Sequence, residues 1–210
     1  TSITISENCS VYARGTDKYG NMSTTSSVTI SNIDKSPPIE PKINISTIEL
    51  TNKDIIVNID SWGDAVVKEY KLNKGEYKPY SGPFILSVNG TVYARGIDQA
   101  GNASQIATLT VTNIDKIAPN KPKIILSTTV KVKDKLIAEI NKCKGDEIQE
   151  YKINNGEWIR YDTPLEILNN GILYVRVIDS AGNISELGVC EIKNILNKLT
   201  IQEIAEQKNK

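Results

Sequence analysis

The sequence predicts an all-β chain built as a tandem array of β-sandwich modules with an 81-residue period. Three observations carry that class. First, the stretch Tyr93-Ala94-Arg95-Gly96-Ile97-Asp98-Gln99-Ala100-Gly101-Asn102-Ala103-Ser104 has two lightly edited copies, beginning at Tyr12 and Tyr174, each 81 residues from the middle one. Second, apolar residues alternate with polar ones in short runs parted by turn residues, with no helical periodicity. Third, the proline-rich segment Lys35-Ser36-Pro37-Pro38-Ile39-Glu40-Pro41-Lys42 recurs as Asp115-Lys116-Ile117-Ala118-Pro119-Asn120-Lys121-Pro122. Proline fixes φ and removes a donor, so both segments should be extended, stiff joints.

Residues 1–34 then read as the C-terminal part of an incomplete module. Ile3 and Ile5 align with Phe84 and Leu86, mid-domain positions of the next copy, and Val11, Ala13 and Gly15 alternate with Tyr12, Arg14 and Thr16. So few strands cannot close a sandwich alone. Residues 35–115 form a complete module, with strands expected near 43–47, 54–60, 67–73, 76–80, 84–88, 91–98 and 105–113. In the second of these, Ile55, Val57 and Ile59 share one face, as do Leu136, Ala138 and Ile140 in the following module, 116–195. Asn73-Lys74-Gly75, Asn154-Asn155-Gly156, Asn89-Gly90 and Asn170-Gly171 are turn signals, since Asn and Gly accept positive φ. In the tail, 196–210, Thr200 and Glu203 have capping-box spacing, which gives two readings: a short amphipathic helix or a frayed polar end.

Composition excludes several functions. Twenty-five Lys and Arg balance twenty-five Asp and Glu, and no basic cluster stands out, so nucleic acid is not an expected partner. No apolar run is long enough to predict membrane insertion. With no histidine, His-based acid/base catalysis, the Ser-His-Asp triad and the commonest zinc sets drop out, so no enzyme, catalytic residue, metal or cofactor is expected. Cys9, Cys143 and Cys190 align with no cysteine in other copies, and their odd number implies no complete internal disulfide set. Cys190 takes an inward strand position and should be a buried thiol; Cys9 and Cys143 are expected in turns or loops.

Within the repeated stretch, Val92, Ala94 and Gly96 should point inward, their small size implying close approach of the opposing sheet. Asp98, Gly101 and Asn102 suit a hairpin, where Asp and Asn bond nearby N–H groups and Gly turns left-handed. Asp98 as a calcium ligand is the competing reading, but Asn102 is its only evident oxygen-bearing companion and calcium takes six to eight oxygens. Asn32-Ile33-Asp34 and Asn113-Ile114-Asp115 stand at the joints, where an Asp capping a turn is again preferred over calcium. The candidate ligand-binding residues are aromatic: Tyr77 with Tyr80, their counterparts Trp158 with Tyr161, and the unpaired Trp62, whose counterpart is Cys143. Such rings stack on a sugar or cover a sandwich edge.

Tyr151-x-Ile153-Asn154-x-Gly156-x-Trp158 followed by Tyr161, then Tyr174-x-Arg176-x-x-Asp179-x-Ala181-Gly182-Asn183-x-Ser185, and the joint Asn113-Ile114-Asp115-Lys116-x-x-Pro119 together resemble the bacterial immunoglobulin-like repeats of Gram-positive surface and secreted proteins. The likeness covers nearly all of 1–195; the first copy departs with Tyr19 for alanine and the second with Tyr77 for tryptophan. It implies immunoglobulin-like or fibronectin-III-like sandwiches, extracellular or cell-surface placement, a virion-associated one among the options, and a spacer or stalk role. Two alternatives accompany it: a glycan-binding accessory module of a secreted glycosidase, and a filament or phage tail-fibre subunit completed by strand addition. Expected partners are other protein domains, a surface receptor or a glycan, with self-assembly through residues 1–34 as a further option.

Overall fold

The computed structural model describes residues 2–145 and 147–196; the helix or frayed end expected in the tail falls, from 197 on, outside them. All regular structure among the described residues is β. Contacts group the chain into two compact units, Thr1–Ser46 with Ile56–Thr112 and Thr47–Ile55 with Asn113–Lys210.

In the first unit, β1 (Cys9–Ala13) and β2 (Ser26–Ile30) pair as an antiparallel ribbon. Most of its side chains stay wet, with Tyr12 70% and Val28 58% exposed, while Val11 and Ile30 are half-buried. Cys9, expected in a turn, instead opens β1. There follow β3 (Lys42–Ile45), β4 (Ile55–Asp60), β5 (Val67–Leu72), β6 (Lys78–Pro79), β7 (Phe84–Leu86), β8 (Gly90–Ile97) and β9 (Ala107–Val111). They make a three-stranded sheet, β3-β4-β7, and a four-stranded one, β6-β5-β8-β9. The period-two pattern decides the faces: Ile55, Val57 and Ile59 on β4, and Val92 and Ala94 on β8, are buried, while their neighbours look outward.

The second unit repeats the plan with β10 (Ile124–Leu126), β11 (Leu136–Ile140), β12 (Ile148–Ile153), β13 (Ile159–Arg160), β14 (Leu165–Ile167), β15 (Gly171–Ile178) and β16 (Gly188–Ile192). The sheets are β10-β11-β14 and β13-β12-β15-β16, every pairing antiparallel. Leu136, Ala138, Ile140, Ile167, Leu173, Val175, Ile192 and Ile195 form its core, with Tyr151, Tyr161 and Cys190 packed on the margin. Each fully buried aliphatic side chain is worth about 1.5–3 kcal/mol, so this cluster, rather than any single bond, holds the sheets together.

The turns explain two sequence signals. Asn73 and Asn154 take positive φ, 52° and 53°, and their Oδ1 atoms accept the Thr91 and Ile172 N–H groups at 2.9 Å. The asparagine then lies over the residue preceding that strand N–H, where a Cβ on Gly90 or Gly171 would meet it at 3.0 or 2.9 Å. Gly96 is small for a different reason from the one its sequence suggests. A Cβ there would lie 2.6 Å from Ala65 Cβ, so a loop residue presses on β8 where the opposing sheet was expected to.

Candidate functional site

On β8, Tyr93 and Arg95 alternate with the buried Val92 and Ala94 and so stand on the outer face. Arg95 Nε donates to Glu69 Oε1 at 2.6 Å across the β5–β8 register, and its guanidinium lies 4.0 Å from the Tyr77 ring centre. The Lys71 ammonium sits 4.9 Å from Tyr77 and 5.3 Å from Tyr93. The second unit builds the same ladder. Arg176 Nε donates to Glu150 at 2.7 Å and stacks 4.2 Å from the Trp158 ring, while Lys152 lies 5.2 Å from Trp158 and 5.5 Å from Tyr174. One face of each candidate ring, Tyr77 and Trp158, is therefore covered by its own module's guanidinium. Among the described residues, the buried Tyr77 hydroxyl has no hydrogen-bond partner.

Tyr80 and Tyr161 are not beside those rings. Each pair flanks a two-residue strand at an odd spacing of three, and odd spacing in a strand sends side chains to opposite faces. Tyr80 Oη accepts the Ile59 N–H at 2.9 Å and donates to Asn58 Oδ1 at 3.0 Å; Tyr161 Oη accepts the Ile140 N–H at 3.1 Å. The expected two-ring sugar platform is thus split in both modules, and the second ring of each pair ties one sheet to the other.

The structure instead brings Trp62 to Tyr80, their ring centres 5.4 Å apart. Trp62 is only 8% exposed and its Nε1–H donates to the Ile59 carbonyl at 3.1 Å, so the indole is packing, with one edge reaching an open depression of about 370 Å³. Asn58, Asp60, Lys68, Tyr80 and Ser81 are among its other lining residues. A depression of about 470 Å³ surrounds Tyr161, lined also by Glu139, Asn141, Gln149 and Asp162. At the position of the indole stands Cys143, half-buried in a loop, its thiol donating to the Glu147 carbonyl at 3.1 Å. Cys190 packs at the core margin, where burial pushes its thiol above the ordinary 9.0 and keeps it protonated.

The hairpin residues satisfy one another. Asp98 Oδ1 accepts the Asn102 N–H and Oδ2 the Asn102 side-chain amide, both at 2.8 Å; Asp179 and Asn183 do the same at 2.8 and 2.9 Å. The Asn102 side-chain amide, helped by the Asn102 N–H and the N–H groups between, holds the Asp98 carboxyl below its ordinary 3.8. For Asp179, partial burial opposes the shift, but Asn183 and nearby N–H groups outweigh it and the net direction is again down. Ser104 Oγ accepts the Gly96 N–H at 3.0 Å and donates to the Gln105 carbonyl at 2.7 Å, a role Ser185 repeats.

One role was missed by sequence reasoning. Asn102 Nδ2 also donates to the Asp34 carbonyl at 3.2 Å, and Asn183 Nδ2 to the Asp115 carbonyl at 3.0 Å. Both partners are joint residues, and their own carboxylates accept the N–H two residues on, from Ser36 and Ile117, at 2.9 Å. The signal lay in the constant 68-residue separation of the two recurring motifs.

No known protein family and no curated protein matches the chain. Among solved structures it is similar to the human OSCAR ligand-binding domain, at 12% identity and TM-score 0.33 over 75% of this chain and 100% of that one. It is similar also to the fibronectin(III)-like modules of Clostridium thermocellum CbhA, at 14% identity and TM-score 0.36 over 73% of this chain and 94% of that one. The class itself rests on strand order: three antiparallel strands facing four define immunoglobulin-like and fibronectin-III-like β-sandwiches.

Proposed function

We propose that the chain is a non-enzymatic spacer or stalk in an extracellular or cell-surface protein, with modules at 35–115 and 116–195 following the incomplete one at 1–34. One observation supports this most: the residues that recur are consumed by the fold. Arg, Glu and aromatic rings brace the outer sheet faces, and Asp, Asn and Ser close hairpins and clasp joints. Stiff joints between small sandwiches hold a functional end away from an anchor. Single-molecule pulling of the full chain tests it. Two separate force peaks are expected, each releasing about 27 nm of chain, from ~80 residues at ~3.4 Å each; extension without resistance would sink the reading.

A glycan-binding role is favoured by the depression lined by Trp62, Tyr80, Asp60 and Lys68. Saturable glycan-array binding that disappears in Lys68→Ala would replace the spacer reading with this one. The filament reading draws on the exposed β1–β2 ribbon, whose Val11 and Ala13 correspond to the fully buried Val92 and Ala94. Assembly abolished by deleting residues 1–34 would support it.

A further inference from the structure

Three asparagines of the chain precede a glycine, in Asn89-Gly90, Asn155-Gly156 and Asn170-Gly171. Such pairs are chemically labile. Hydroxide takes the glycine amide proton, the glycine nitrogen attacks the asparagine Cγ, and the side-chain nitrogen leaves as ammonia, closing a succinimide ring. Water then adds to one of the two ring carbonyls and opens it, giving aspartate or isoaspartate. No electron changes hands, and water is the only co-reactant. Glycine favours the step because no Cβ shields its nitrogen and its backbone rotates readily. Two conditions remain: the asparagine amide must be able to swing onto the backbone, and the glycine nitrogen must be able to move toward it.

The fold denies both conditions to two of the pairs. Asn170 Nδ2 donates to the Ile195 carbonyl and Asn170 Oδ1 accepts the Ile195 N–H, both at 2.9 Å, and Asn89, its counterpart, is engaged as well. Gly90 and Gly171 open the central strands β8 and β15, opposite Val111 and Ile192, and a Cβ on them would meet the Asn73 and Asn154 side chains at 3.0 and 2.9 Å. Asn155 differs on each count. It is exposed in the turn between β12 and β13, and among the described residues its side chain has no hydrogen-bond partner. Gly156 lies outside any strand, and its N–H donates to the Ile153 carbonyl at 3.0 Å. One hydrogen bond in an exposed turn belongs to the readily opened part of a fold. The first unit builds the same turn without the reactive amide: Asn73-Lys74-Gly75, with Gly75 N–H donating to the Leu72 carbonyl at 2.9 Å.

We propose that Asn155 is a site of spontaneous deamidation, which converts the β12–β13 turn of the second unit while Asn89 and Asn170 stay intact. Isoaspartate routes the backbone through the side chain and so adds one methylene to the turn. The lengthened turn cannot keep both the Ile153–Gly156 bond and the pairing of Tyr151 with Ile159. β13 is two residues long, so it yields first, and Trp158 beside it leaves the Arg176 guanidinium and the Lys152 ammonium. The core on β11, β14, β15 and β16 is untouched. The inference goes beyond the spacer reading and does not depend on it: the second unit carries a one-way chemical change that the first unit, with Lys74, lacks.

Ageing the full chain at mildly alkaline pH tests this, with peptide mapping by mass spectrometry to follow each asparagine. Asn155 should convert at least roughly tenfold faster than Asn89 or Asn170, the factor that breaking two hydrogen bonds imposes on Asn170. In urea the three rates should converge, because the fold no longer separates them. Isoaspartate at 155 should appear in step with stronger acrylamide quenching of Trp158, the less buried of the two indoles. Asn155→Lys, which gives the turn the first unit's residue, should fold alike and age with neither change. Conversion of Asn89 or Asn170 as fast as Asn155 in the folded chain would overturn the proposal. So would an Asn155 that reacts only after urea is added. Conversion with unchanged quenching would overturn the loosening of β13.

Discussion

Trp62 and Trp158 are the same residue type in opposite circumstances. The Trp62 indole is buried against Tyr80 and the Ala65 loop, so Trp62→Ala should cost about 3–5 kcal/mol by chemical unfolding. Trp158 lies on a sheet face under Arg176, and Trp158→Ala should cost nearer 1 kcal/mol, the scale of an exposed cation–π contact. Equal costs would show that one ring is misassigned. The tyrosines make a second contrasting pair. Tyr80→Phe leaves the Ile59 N–H without its acceptor and should lose about 1–3 kcal/mol. Tyr77→Phe removes a buried hydroxyl that has no partner among the described residues, so it should be neutral or stabilising by up to about 1 kcal/mol. A clear loss of stability in Tyr77→Phe, by urea midpoint, would mean the hydroxyl has a partner after all.

At the scale of the element, the outer face of each four-stranded sheet is a coupled ladder of Glu, Arg, Lys and ring. A double-mutant cycle between Arg95 and Tyr77 should return a coupling of about 0.5–1 kcal/mol, and Arg95→Lys should lose most of it, since an ammonium neither stacks flat nor keeps the guanidinium's fixed fork. Additive single effects would remove the ladder. The strands that carry it were legible in the sequence because a half-buried strand writes its face in period two: β4, β5, β8 and β9 fall within a residue or two of the expected runs. β6 and β13 were legible only as places, since two residues carry no period and the direction of Tyr77 against Tyr80 depends on it. The burial of Trp62 was not legible. A loop residue has no periodicity, and the space that admits the indole is made by Gly96 and Ala65, residues distant enough in sequence that only the fold joins them. The joint clasps of Asn102 and Asn183 were hidden for the same reason: a side chain with a sufficient local partner gives no sign of a second one 68 residues away.

Across the whole molecule, the absence of histidine sets how stability follows pH. No side chain with an ordinary pKa titrates between about pH 5 and 8 in a chain without histidine, so stability should be flat there. On the acid side, Asp17, Asp98 and Asp179 all have folded pKa values held below 3.8, the first two chiefly by the asparagine side chain four residues on. For such groups the folded state binds fewer protons than the unfolded one, so their contribution is fully present above 3.8 and is lost as pH falls through the lower folded values. Because Asn102 and Asn183 also clasp the joints, acid should release hairpin and joint together at Asp98 and Asp179. Cys190 has the opposite sign: burial raises its folded pKa above 9.0, so its contribution holds below that pH and is lost as pH climbs past it. The urea midpoint should therefore form a plateau from about pH 5 to 8, falling below about pH 4, and Asp98→Asn should flatten part of the acid limb. A sloping midpoint across the plateau would reveal a perturbed carboxylate or thiol, or an α-amino group coupled to folding, and an acid limb unchanged in Asp98→Asn would take the hairpin out of it.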